Sequence, residues 1–228
     1  MRARRTCLSV PGSSPRMLAK AGALPADEIV IDLEDAVAAA AKDSARAAVV
    51  DALADGQLAG RTVAVRINGL DTPWCHRDIV ALADGPAAAA VTTLVIPKVQ
   101  APEDVCWVAR LLDMIGSGAR QIGLQALIET ATGLRRAGGI AQACARLEAL
   151  ILGYADLRAS LGRPANAGEA PASWSFAQDT LLVAARRTRA RSGSTASGRS
   201  IHRSWARSTT PSRRPTRKCS GRARSWRR

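Results

Sequence analysis

Two histidines in 228 residues, His76 and His202, cannot build a histidine-rich metal site. The five cysteines, Cys7, Cys75, Cys106, Cys144 and Cys219, include no CxxC and no paired spacing. That excludes a disulfide scaffold or a zinc ribbon and points to reduced thiols. No apolar run approaches the ~18 residues that a membrane span needs. The basic start, Met1 to Arg5, has the charge of a secretory n-region, but Cys7-Leu-Ser-Val stops at Pro11-Gly12 before an h-region develops. These features predict a cytoplasmic protein with no membrane partner.

Acidic residues are absent from one stretch altogether. From Arg186 to Arg228 there are 14 Arg and one Lys and no Asp or Glu. With 15 of the 33 basic residues placed there, residues 1–185 hold 18 bases against 19 acids. The net charge of +14 therefore belongs to the last 43 residues, and the body is neutral. The same stretch has nine Ser, five Thr and Ile201 as its one large aliphatic residue, so no apolar period survives in it. Three readings are open: a basic arm for nucleic acid, a solvated tail, and a shift of reading frame in a GC-rich gene. The break after the amphipathic Leu181-Leu-Val-Ala-Ala-Arg186 is abrupt, which favours the frame shift. Residues 186–228 are accordingly expected to be a disordered or out-of-frame tail that supplies no strand, and nucleic acid is not expected as a partner. Residues 1–185 are expected to be the folded unit.

Within 1–185 one pattern repeats six times. Short apolar, β-branched runs alternate with helical segments. The predicted strands are 7–10, 28–33, 62–67, 93–96, 122–128 and 147–152. Their starts lie 21, 34, 31, 29 and 25 residues apart, the length of a βα unit, so a parallel sheet is expected. Helices are predicted over 15–24, 42–55, from Pro102 and over 176–185. Pro102-Glu-Asp opens one with proline in the first turn and acids at the positive dipole end. Ala45, Val49 and Leu53 share a face in another. Gly116-Ser-Gly118 reads as a helix-ending turn, and Trp74, Trp107 and Trp174 as packing residues.

Each predicted strand ends in polar or special residues: Pro11-Gly12, then Asp32, Glu34 and Asp35, then Arg66 and Asn68, Pro97-Lys98, Glu129-Thr130 and Asp156. In a parallel α/β protein these ends converge on the face that carries chemistry. Six units occupy the body, whereas eight would need about 225–250 residues.

The stretches Leu8-Ser-Val-Pro-Gly12, Ile31-Asp-Leu-Glu-Asp-Ala-Val37, Val65-Arg-Ile-Asn68, Val95-Ile-Pro-Lys98, Ala126-Leu-Ile-Glu-Thr130 and Leu152-Gly-Tyr-Ala-Asp156 occur in one order and spacing. With them the chain resembles the HpcH/HpaI aldolase family of CoA-ester lyases, which includes citrate lyase beta subunits. The resemblance runs from about Arg4 to Ala185. It implies a (β/α)8 TIM barrel, of which about six βα units are recognisable here. It also implies a Mg²⁺-dependent lyase that cleaves or forms a carbon–carbon bond in a 3-hydroxy-3-carboxyacyl-CoA ester such as citryl- or malyl-CoA, yielding a keto acid and an acyl-CoA. On the same basis Glu129 and Asp156 correspond to the Mg²⁺ ligands and Glu129 also to a substrate contact. Arg66 corresponds to the catalytic residue that holds substrate oxygens. Asp32, Glu34 and Asp35 form an acidic motif supporting the metal through waters. CoA-thioester and keto-acid substrates and a homo-oligomer of the intact chain are implied partners.

Lys98 could suggest a Schiff-base lysine, but a metal pair makes that unnecessary. A 2-keto acid aldolase of the same fold without CoA, and nucleic-acid binding through the basic tail, are the alternatives. Because two of eight units are not recognisable, the chain as written is expected to be poorly folded and inactive, with open strand edges at 7–10 and 147–152.

Overall fold

Each apolar run becomes a parallel strand in the computed structural model, which describes residues 4–163, 174–191 and 200–202. The strands are β1 (Cys7–Pro11), β2 (Glu28–Asp32), β3 (Val63–Arg66), β4 (Thr93–Ile96), β5 (Gly123–Ile128), β6 (Leu147–Leu152) and β7 (Ser200–His202). Six lie within a residue or two of their predicted bounds. The helices are α1 (Pro15–Ala21), α2 (Lys42–Ala54), α3 (Cys75–Ala83), α4 (Pro102–Ile115), α5 (Ala131–Arg135), α6 (Ala137–Ile140), α7 (Tyr154–Ser160) and α8 (Ser175–Arg191).

The seventh strand corrects one expectation. Ser200–His202 pairs in parallel with Ala149–Ile151 of β6, so the outer edge of β6 is covered there despite the polar composition around it. Main-chain hydrogen bonding needs no apolar side chain, and one short strand can be laid on an edge by it alone. Helix α8 likewise continues to Arg191, past the expected break at Arg186. Residues 192–199 and 203–228, on which the rest of the tail reading falls, lie outside the described residues. Among the described residues no strand pairs with the outer edge of β1.

The strand order runs β1 to β7 in sequence, every neighbour parallel. A doubly wound sheet reverses its order at a switch point; this one never does. Right-handed crossovers then put every helix on one face, which is the winding of a (β/α) barrel.

Side chains alternate accordingly. Ile29, Ile31, Val63, Val65, Leu94, Ile96, Leu124, Ala126 and Ile128 join the large core beneath the helices. Val30, Ala64, Val95, Leu127 and Ile151 form a separate cluster on the opposite face. Burial on both faces is why the strands read as continuous apolar runs. Each fully buried aliphatic contributes about 1.5–3 kcal/mol.

Two residues back from this inner cluster lie Glu28, Thr93 and Gln125, all buried. Gln125 Nε2 donates to Glu28 Oε1 and Thr93 Oγ1 at 2.9 and 2.8 Å, and Arg4 Nε donates to Glu28 Oε1 at 2.8 Å. This network closes the N-terminal end of the sheet. Two residues forward lie Asp32, Arg66 and Glu129, at the C-terminal end. The inner face is thus polar, apolar and charged in successive layers.

Local signals place the elements. Asp104, in the first turn of α4, accepts hydrogen bonds at Oδ2 from the main-chain N–H groups of Gln100 and Ala101, and Gly116 ends the helix at φ +117°. Ala87 and Ala88 are buried, so the 86–89 turn packs against the core. Trp174 packs edge-on to Tyr154, but Trp107 is 45% exposed and is not a packing residue. No helix among the described residues is long and apolar enough to cross a membrane.

Candidate active site

Asp32 and Arg66 are partners across the β2–β3 ladder, so both end on the inner face at the same height. Arg66 is 6% exposed. Its Nε donates to Asp32 Oδ1 at 2.9 Å and its Nη2 to Asp32 Oδ2 at 2.5 Å, a bidentate pair. Nη1 lies 2.9 Å from Glu34 Oε2 and donates to Asp35 Oδ2 at 3.3 Å. Burial opposes the guanidinium's charge, but the hydrogen bond to Asp32 and the three carboxylate charges outweigh it and raise its pKa further.

The acidic loop is built to do this. Asp32 Oδ1 also accepts from the Glu34 N–H, and Oδ2 from the Ala36 N–H, so one carboxylate shapes its own loop while gripping Arg66. From α2, the buried Lys42 ammonium donates to the carbonyls of Leu33 and Glu34 at 2.7 and 2.6 Å and sits over the Trp74 ring. Burial lowers its pKa, against the pull of Asp32, Glu34, Asp78 and Asp35. Asp32, Glu34 and Asp35 therefore contact the guanidinium directly, and Arg66 serves the fold as well as any ligand.

Glu129 follows β5 and is 4% exposed. Its Oε1 accepts the Lys98 N–H at 2.9 Å. Burial pushes its pKa up to about 7, helped by the charges of Glu34 and Asp156 and opposed by the Lys98 hydrogen bond and Arg66. Glu34, also raised by burial, is offset by Arg66 and Lys98.

Asp156 was expected at a strand end. It lies instead in the first turn of α7, after Gly153, because β6 stops at Leu152. It is half-buried, accepts no hydrogen bond among the described residues and acts on Glu129 through charge. Gly153 is what lets β6 pass Glu129. A Cβ there would stand 2.7 Å from both Glu129 Cβ and Oε2. Gly153→Ala is expected to displace the Glu129 carboxylate and cost about 1–3 kcal/mol, read as a lower melting temperature. An unchanged melt would show that Glu129 relaxes freely.

Lys98 is the only non-glycine residue with positive φ among the described residues, at +51°. Such a conformation costs roughly 1–2 kcal/mol. Its Nζ donates to Glu34 Oε1 at 2.6 Å. Sequence reasoning placed Lys98 at a strand end and weighed it as a Schiff-base candidate, and it missed Lys42 and Asp78. Asp78 is fully buried, accepts from Asn68 N and Nδ2 at 2.9 and 2.7 Å, and takes Arg46 Nε at 2.7 Å. A signal existed for both. Lys42 falls in the buried stripe of Ala45, Val49 and Leu53, and Asp78 in that of Cys75, Ile79 and Leu82. A charge in a core stripe needs a partner. His76 is exposed on α3.

The donor set fits a hard, hydrated cation. Glu129 and Asp156 supply carboxylate oxygens, and among the described residues no cluster of three Asp, Glu, His or Cys surrounds a common point. Mg²⁺ is usually held by one or two carboxylates, with waters and substrate completing its octahedron. A carboxylate pushed up to about 7 by burial is one that a nearby divalent cation would keep ionised.

The sequence profile of the HpcH/HpaI aldolase/citrate lyase family matches residues 5–195. An L-malyl-CoA/beta-methylmalyl-CoA lyase of Rhodobacter capsulatus is 38% identical over 164 residues, 71% of this chain and 51% of that protein. A citrate lyase subunit beta of Leuconostoc mesenteroides subsp. cremoris is 38% identical over 162 residues, 68% of this chain and 51% of its own length. The chain thus spans about half the length of these relatives. Among solved structures, a citrate lyase beta subunit from Mycobacterium tuberculosis complexed with oxaloacetate and magnesium superposes with a TM-score of 0.65 at 31% identity, covering 83% of this chain and 78% of that one.

Proposed function

The chain belongs to the HpcH/HpaI aldolase/citrate lyase family, and on that premise we propose that it is a Mg²⁺-dependent carbon–carbon lyase for a 3-hydroxy-3-carboxyacyl-CoA ester such as citryl- or malyl-CoA. The products are a keto acid and an acyl-CoA. The observation that carries the reading is the meeting of Arg66, Glu34 and Glu129 at one end of the inner face, with Asp156 in the next loop. The likeness to a malyl-CoA lyase and a citrate lyase beta subunit supports the substrate class.

Glu129 and Asp156 would hold Mg²⁺, which when bound polarises the keto-acid oxygens as a Lewis acid. Arg66 supplies fixed positive charge. Asp32 takes its Nε and Nη2 and so sets the plane of the guanidinium, leaving Nη1 on the side of Asp35, whose side chain is 35% exposed. A substrate oxygen reaches that edge by replacing Asp35. As the carbon–carbon bond breaks, the bonding pair moves to the thioester enolate, and a preorganised guanidinium stabilises that charge without reorganisation. The hydroxyl proton leaves as the keto group forms, and one proton returns to the enolate carbon.

Keto-acid release from citryl-CoA and malyl-CoA by the full chain, with Mg²⁺ and with EDTA, tests this. Release that stops with EDTA is expected. Cleavage confined to hydroxy-keto acids without CoA would support the aldolase reading instead. The expectation of an inactive chain rests on two of eight βα units not being recognisable, and turnover in the same assay would overturn it. A division into 1–185 and a basic 186–228, a cytoplasmic location and assembly with like chains also belong to this proposal. Light scattering after size exclusion checks the assembly.

A further inference from the structure

Lys98 is held in an unfavourable backbone conformation from three sides. Ile96 pairs with Ala126, and Val99 N then bonds to Leu127 O at 3.2 Å, so two residues, Pro97 and Lys98, are looped out where the ladder has room for one step less. Pro97 restricts the chain before the loop. After it, the Val99 carbonyl is pressed by α5: a Cβ on Gly133 would stand 2.2 Å from that oxygen. Glycine would occupy the left-handed region without strain, yet a lysine stands there. Strain of this kind persists where the surroundings impose it, and it concentrates at functional sites.

What the loop achieves is visible at both ends of the residue. Its N–H is aimed at Glu129 Oε1, and its ammonium lies 2.6 Å from Glu34 Oε1. The Lys98 side chain is 44% exposed, while the Glu34 side chain is 8% exposed. Of the other cations at this end, Arg66 is enclosed by three carboxylates and Lys42 is buried against the Leu33 and Glu34 carbonyls. Lys98 is therefore a cation beside Glu129 and Glu34 with open solvent on one side. Its four-carbon stem lets the ammonium leave Glu34 for a ligand without moving the backbone.

We propose that Lys98 has two separable roles: its main-chain N–H positions Glu129, and its ammonium binds a carboxylate of the acid half of the substrate. The inference rests on the lyase reading above and adds to it a substrate contact on the β4–α4 loop. The bulge keeps the N–H on Glu129 whatever side chain is present. The side chain alone carries the anion contact.

Three variants of the full chain separate these roles, read by calorimetric binding of oxaloacetate and of CoA in the presence of Mg²⁺, by Mn²⁺ binding and by thermal melting. Lys98→Met is expected to weaken oxaloacetate binding at least tenfold and leave Mn²⁺ and CoA binding within about threefold. Lys98→Gly is expected to lose oxaloacetate to the same degree and yet melt at a higher temperature than Lys98→Met, since both lack the ammonium and only glycine relieves the strain. Lys98→Arg is expected to retain most of the oxaloacetate affinity. A purely structural lysine would not give a variant that regains stability and still binds the acid less well. Unchanged oxaloacetate binding in both Lys98→Met and Lys98→Gly would overturn the ammonium's role, and loss of CoA binding in place of oxaloacetate would overturn the assignment to the acid half. A tenfold loss of Mn²⁺ affinity in Lys98→Met would overturn the division between main chain and side chain. Failure of the unaltered chain to bind both Mn²⁺ and oxaloacetate would overturn the lyase reading itself, and this contact with it.

Discussion

Arg66→Met is expected to lose about 3–5 kcal/mol of stability, the cost of leaving a buried charge uncompensated. Asp32 is 2% exposed and gives both carboxylate oxygens to Arg66, and Glu34 shares Nη1. With urea slopes of about 1–3 kcal/mol/M, the unfolding midpoint should fall by on the order of 2 M. Arg66→Lys keeps one charge but cannot reproduce the two-pronged grip, so it should fold, lose less stability and lose most turnover. The control is the double variant Arg66→Met with Asp32→Asn, which removes both charges. It should be more stable than the sum of the single losses predicts, because the two groups form one pair. Additive losses, or an Arg66→Met chain as stable as the parent, would show that the pair does not support the fold.

The second large effect concerns the metal. A ligand that binds only the folded state adds stability of about 2.7 kcal/mol at one hundred times its dissociation constant. The parent chain should show this gain with Mg²⁺, and both Glu129→Gln and Asp156→Ala should show none. Without metal, Glu129→Gln should melt at or above the parent at pH 8. Burial pushes the Glu129 pKa up to about 7, above its unfolded value. An acid raised in this way favours the fold while protonated, and that contribution is lost as pH climbs from the unfolded pKa through the folded one. At pH 8 the carboxylate thus costs stability, and a neutral amide that still accepts the Lys98 N–H removes the cost. Retention of the Mg²⁺ response in both variants would exclude these two residues as its ligands.

Much of this was legible from residues 1–185. Glu28–Asp32 and Leu147–Leu152 stand out as strands because both of their faces are buried, which makes nearly every residue apolar. Arg66 and Glu129 could be placed at one end because each follows such a run directly. Asp156 was displaced by one short helix, since periodicity does not show where α7 begins. Lys98 could be placed at a strand end, but its positive φ carried no signal, because a left-handed lysine and an ordinary loop lysine are the same letter. Ser200–His202 had none either: three polar-flanked residues are admitted as a strand by an open edge of β6, not by their own pattern.

The division has a physical reason. A two-residue or 3.6-residue period is local, so the sequence by itself determined the six βα units of the body and the residues that stand at each strand's end. Which of those residues meet depends on the register between strands that are more than 20 positions apart in the chain. Asp32 faces Arg66 because they are register partners in the β2–β3 ladder, and a slip of one residue would turn one of them to the helix side. Register, the Pro97–Lys98 bulge and the close pass of Gly153 beside Glu129 are settled by packing across the whole sheet, and only the tertiary structure decided them.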